Sequence, residues 1–148
     1  MSNKLLEKIQ AEINENKILQ TLQEEYPIKE LLEFNEFNVG EKLQWNSYYQ
    51  EQFRLLYISE KQKLDRIIEK FDQKSGEQYD YYKYKDSRDL TKTEIERYYL
   101  PTDNELIKLK RMVKLQETRV SFFEAVVESF KSQGFNMRNF LENLKIGG

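Results

Sequence analysis

The chain has 148 residues and a formal net charge of −2, enough for one domain with a modest core and without a global basic field to draw it onto nucleic acid. Cys and His are both absent, which removes disulfides, thiolate chemistry, the usual triads and zinc sites, so no enzyme, metal site or cofactor is expected. Five Gly and two Pro against ten Tyr and nine Phe favour long packed helices over sheets or disorder.

Leu5, Leu6, Ile9, Ile13 and Leu19 or Leu22 predict a helical face over about 3–25, broken at Pro27. Lys4, Glu7 and Lys8 among these apolar residues exclude a signal peptide or membrane span, and an intracellular soluble protein is expected. Ile28, Leu31, Leu32, Phe34 and Phe37 predict a short second helix that stops near Asn38-Val39-Gly40. A long helix follows over about 41–73, its apolar stripe running from Trp45, Tyr49, Phe53 and Leu56 to Leu64, Ile67, Ile68 and Phe71 and thinning at Glu60. Gly76 is placed as its C-terminal stop.

Residues 77–91 read as an extended loop, because tyrosines alternate with charges. Thr91 is expected to cap a short helix reaching Tyr99, closed by Pro101. Thr102-Asp103-Asn104-Glu105 reads as a capping box for the next helix. Leu106, Leu109, Val113, Val120, Phe123, Val127 and Phe130 then form a coiled-coil seam interrupted only by Gln116, ending at Gly134. Met137–Lys145 is expected as a last helix. The expected fold is an all-α helical bundle in a single domain, with two long helices and shorter flanking ones.

No Gly-rich phosphate loop is present, since Gly40, Gly76 and Gly134 stand alone. Three constellations remain. Lys63, Arg66, Lys70 and Lys74 fall on one side of the 41–73 helix, where they suit a phosphate backbone. They equally suit the helix dipole and nearby carboxylates, and spacing alone favours that plainer reading. Tyr79, Tyr81, Tyr82 and Tyr84, interleaved with Lys83, Lys85 and Arg88, suit stacking on unpaired bases. Asp80, Asp86 and Asp89 dilute that charge and favour tyrosines packed back onto the helices. Phe122, Phe123, Val126, Val127, Phe130, Phe135 and Phe140 put bulky apolar groups on more than one face, which fits either internal core or self-association.

Three stretches together resemble the UvsY family, the recombination mediators of T-even-type bacteriophages. The first runs from Trp45 to Gly76, a charged helix ending Lys70-Phe71-Asp72-Gln73-Lys74-Ser75-Gly76. The second is Tyr98-Tyr99-Leu100-Pro101-Thr102-Asp103-Asn104-Glu105-Leu106, similar to an acidic hinge before the family's last long helix. The third is Val120–Met137, where Lys131-Ser132-Gln133-Gly134-Phe135 is similar to the family's Lys-Ser ending with a closing Phe. The likeness covers residues 45 onward, about two thirds of the chain.

The resemblance implies a homo-oligomeric ring, a hexamer or heptamer, assembled through the C-terminal region and binding single-stranded DNA. It implies a mediator that loads the phage recombinase onto strands covered by the phage single-strand-binding protein, in the cytoplasm of the infected bacterium. Lys70 matches the basic position before the family's aromatic ending, whereas Ile68 stands where a member carries a second cation, and Gln73 and Lys74 replace paired aromatics. A ring repeating the 63/66/70/74 stripe would turn a modest patch into a track. The competing reading is a helical oligomeric adaptor that binds protein and no DNA.

Overall fold

Asn16 divides the first predicted helix in two. The computed structural model describes residues 2–147, and these are helical with no strand among them. α1 is Ser2–Glu15 and α2 is Lys17–Glu25. Asn16 caps α2, its side-chain oxygen accepting from the Leu19 amide at 3.3 Å. α3 is only Ile28–Leu32, shorter than the apolar pattern suggests. The Asn35 side chain accepts from the Phe37 and Asn38 amides, and that local turn competes successfully with a longer helix. Asn38-Val39-Gly40 is therefore a start rather than a stop, and α4 runs Val39–Asp80.

Gly76 does not end that helix. A glycine inside a helix costs about 1 kcal/mol against Ala. Beyond it, the Gln78 amide and the Tyr82 hydroxyl both donate to Asp103, at 2.7 and 2.9 Å, anchoring the extra turns. The expected loop at 77–91 is consequently helical to Lys85, closing through a wide π turn over Tyr81–Lys85. Its last bond runs from the Asp86 amide to the Tyr81 carbonyl. Thr91 caps α5 (Lys92–Glu94), as its spacing predicts, and a second π turn spans Ile95–Tyr99.

α6 is one helix, Asn104–Gly147, so neither the stop at Gly134 nor the separate terminal helix is found. Its cap is Asp103, not the predicted Thr102–Glu105 box. One Asp103 oxygen accepts from the Glu105 and Leu106 amides at 3.0 and 3.1 Å. Thr102 instead donates to the Tyr98 carbonyl.

The chain divides into two compact units, one holding the chain up to Ser59 and again from Thr118, the other holding Glu60–Glu117. The core of the first is a ring stack. Phe53 stacks on Phe130 and Phe123, with centroids 5.4 and 6.5 Å away, and Tyr49 stacks on Phe130 at 5.8 Å. Tyr26 meets Phe123 edge-on at 5.0 Å, and Leu22, Val126 and Val127 complete the buried cluster.

A polar chain crosses the same unit. Asn46 donates to the Phe130 carbonyl and to Gln133 at 2.8 and 2.9 Å, and Gln133 donates to the Leu31 and Leu32 carbonyls at the end of α3. Lys42 donates to the Glu30 carbonyl, so α3's orphan acceptors are met by side chains. In the second unit Leu90, Ile95 and Leu106 are buried, together with the polar pair Glu60 and Gln116. Among the described residues no helix is long and apolar enough to cross a membrane.

Candidate functional site

The sequence-predicted basic stripe lies wholly in the Glu60–Glu117 unit, on α4. At 3.6 residues per turn, Lys63, Arg66, Lys70 and Lys74 occupy one flank of the helix. Asp65, Glu69 and Asp72 occupy the other flank, with Leu64, Ile67 and Phe71 between them as the half-buried face. Lys61 shares the acid flank and Glu77 the cation flank, so the two flanks differ in balance and not in kind.

The four cations differ in what holds them. Lys74 is half-buried and lies 2.6 Å from Glu105 and 3.5 Å from Glu77. The hydrogen bond to Glu105 raises its ammonium above the ordinary lysine value, so Lys74 is a structural cation. Lys63 lies 3.5 Å from the buried Glu60 carboxylate. Arg66 and Lys70 are exposed and stand in no ion pair among the described residues. These two are the cations of the stripe left open to an anion.

The tyrosines also separate. Tyr82 is tied down, its hydroxyl donating to Asp103 and its ring 5.4 Å from Tyr99. Burial, then the bond to Asp103, pushes its phenol up to about 12. Burial would raise the Asp103 carboxyl, but the bonds from Gln78, the Leu106 amide, Tyr82 and the Glu105 amide outweigh it and hold it below its ordinary value. Tyr79 is half-buried, Tyr81 is half-exposed against Tyr82, and Tyr84 is 76% exposed. Arg88 is taken by Asp86 at 2.8 Å and covers the Tyr99 ring, and that pairing drops the Asp86 carboxyl to about 2. Of the four predicted tyrosines, Tyr81 and Tyr84 are the exposed ones, and Tyr98 in the same unit is exposed as well.

Of the C-terminal apolar set, Phe123, Val126, Val127 and Phe130 are spent on the chain's own core, and Phe122 packs against it. Phe140 meets Phe34 edge-on at 5.5 Å. Phe135 is the exposed member, and Leu5, Leu6 and Ile9 on α1 are exposed as well.

Two further features lie outside the predicted stripe. Lys108, Lys110 and Arg111 are exposed on α6, and the signal for them is the lack of any acid between Glu105 and Glu117. Asn46 is the other, a buried polar side chain on an otherwise aromatic stretch of α4. It explains Gly134. A Cβ there would lie 2.6 Å from the Asn46 side-chain oxygen, so only glycine lets this amide sit against α6.

The model of the family described as "Recombination, repair and ssDNA binding protein UvsY" matches residues 42–147. No curated protein sequence matches the chain. Crystal structures of the bacteriophage T4 recombination mediator protein UvsY share the fold. One lattice form gives a TM-score of 0.76 at 17% identity, over 87% of this chain and 98% of that one. A second gives 0.75 at 18% identity, over 87% and 96%. A third gives 0.76 at 17% identity, over 86% and 99%.

Proposed function

Because the chain belongs to the UvsY family, we propose that it is a recombination mediator that binds single-stranded DNA as a homo-oligomer. In this reading it promotes loading of the phage recombinase onto strands covered by single-strand-binding protein, in the cytoplasm of the infected host. The observation that carries the DNA-binding step is the cation row of α4, in which Arg66 and Lys70 are exposed one turn apart and stand in no ion pair among the described residues.

Arg66 and Lys70 contact phosphates, Lys63 adds charge nearby, and Lys74 holds α4 to Glu105 rather than meeting the strand. Of the predicted tyrosines, Tyr81 and Tyr84 are available for stacking. Two open cations make a weak site in one copy. Repetition in a ring supplies the affinity, since each later contact with one strand is effectively intramolecular. Self-association draws on Phe135 and the edge of Phe122, with the exposed apolar side of α1 as a further contact.

The reading is tested by asking whether the protein restores recombinase filament formation on strands precoated with single-strand-binding protein. Light scattering on the same preparation reports the assembly. A mass of several chains and restored filaments are expected. An oligomer with no effect on coated strands favours the adaptor reading, and a monomer mass contradicts both.

A further inference from the structure

The cation flank of α4 does not stand alone; it forms one wall of a groove. Two contacts within the Glu60–Glu117 unit fix where α4 and α6 lie against each other. Lys74 meets Glu105 at 2.6 Å near one end, and Gln116 donates to Glu60 at 2.6 Å near the other. At the Lys74 end lies an open cleft of about 260 Å³ lined by Lys70, Gln73, Lys74, Glu77 and Leu109.

On α6, Glu105, Lys108, Met112 and Leu115 follow steps of three and four and share one side of the helix, next to Leu109. Glu105 and Glu77 both lie against Lys74, whose single charge offsets one of them, and Arg66, Lys70 and Lys108 make the balance positive. Met112 and Leu115 are 41% and 53% exposed. They are apolar side chains left in water on the Lys108 side of α6, and the two anchoring contacts put Met112 level with Arg66 and Leu115 level with Lys63.

We infer that this groove seats a single nucleic-acid strand edgewise, with phosphates on Arg66 and Lys70 and unpaired bases on Met112 and Leu115. The inference rests on the DNA-binding reading above and adds the base-contacting wall to it. A cationic row facing an apolar one matches the two chemistries of an unpaired strand, whose charged backbone and base faces must both be met. A duplex, with its bases stacked inside, offers nothing to the α6 wall. A second copy of this chain is the competing occupant, and the oligomer mass of the double variant below separates the two.

The test compares an oligothymidylate with an abasic oligonucleotide of equal length, by fluorescence anisotropy at matched salt. The wild-type protein is expected to bind the base-bearing strand several-fold more tightly, short of what a base stacked on an aromatic ring gives. Met112→Ser/Leu115→Ser should cut that preference to what Tyr81 and Tyr84 supply, seen as the part lost in a parallel Tyr81→Ser/Tyr84→Ser variant, and leave the salt dependence unchanged, with helicity checked by circular dichroism. A preference undiminished by the Met112/Leu115 substitution overturns the inference while leaving DNA binding intact. So does a change in oligomer mass on light scattering, which would assign the pair to a subunit contact. Binding of neither strand by the wild-type protein would remove the DNA-binding reading itself, and this inference with it.

Discussion

The Gln116 amide donates to the Glu60 carboxylate at 2.6 Å and to the Glu60 carbonyl at 2.8 Å, 56 residues away in the chain. Each residue interrupts the apolar stripe of its own helix, and the two interruptions are one contact. Glu60 is 1% exposed, so its carboxylate depends on such donors. Gln116→Leu should cost about 1–3 kcal/mol by chemical denaturation, the usual loss when a buried acceptor forfeits a partner. The Glu60→Leu/Gln116→Leu double variant should lose less than the two singles together. Strict additivity would mean the pair is not coupled.

Gly76 and Gly134 both lie inside long helices, and alanine should act on them with opposite signs. At Gly76 a Cβ meets nothing within 4 Å, so Gly76→Ala should stabilise by about 0.5–1 kcal/mol through helix propensity alone. At Gly134 the Cβ would strike Asn46, which is held by Phe130 and Gln133. Gly134→Ala should therefore destabilise, by about 1–3 kcal/mol. The sign should reverse in an Asn46→Ala background, where thermal melts of the single and double variants make the comparison.

These two glycines also show what local reading of the sequence reaches. The seam on α6 and the stripe on α4 are legible because their spacing is periodic, and the all-α class follows from them. Helix ends are not, because a glycine's cost of about 1 kcal/mol is smaller than what a distant partner supplies. Gln78 and Tyr82 carry α4 past Gly76 through Asp103, and no residue near Gly76 announces that. The tyrosine segment reads as a loop for the same reason. At the candidate site, spacing identifies the flank shared by Lys63, Arg66, Lys70 and Lys74. It does not distinguish Lys74, committed to Glu105, from Lys70, because that depends on a residue 31 positions away from Lys74.

Tyr82 should report the integrity of the second unit through its ionisation. Its folded phenol is raised from 10.0 to about 12, so its contribution is complete below pH 10 and is lost as pH rises through about 12. Difference absorbance at rapid alkaline mixing should show a tyrosinate phase near pH 12 that Tyr82→Phe removes. An unchanged phase in the variant would mean that Tyr82 is not the late-ionising phenol.

Lys74 and Lys70 should separate structure from binding. Lys74→Ala removes the ion pair with Glu105 and should lower the thermal midpoint, whereas Lys70→Ala should leave it unchanged. Strand affinity should respond more to Lys70→Ala. The reverse pattern would make Lys74 the residue that meets the strand and Lys70 a bystander.

The most direct measurement is the salt dependence of single-strand binding by the wild-type protein and by Arg66→Ala/Lys70→Ala, each confirmed to have the same oligomer mass. Wild-type affinity should fall steeply with salt, and the variant should bind more weakly with a shallower slope. For every phosphate that the variant leaves unneutralised, the slope should shrink by about 0.7. Equal affinity and equal slope in an intact oligomer would contradict the assignment of DNA binding to this flank of α4.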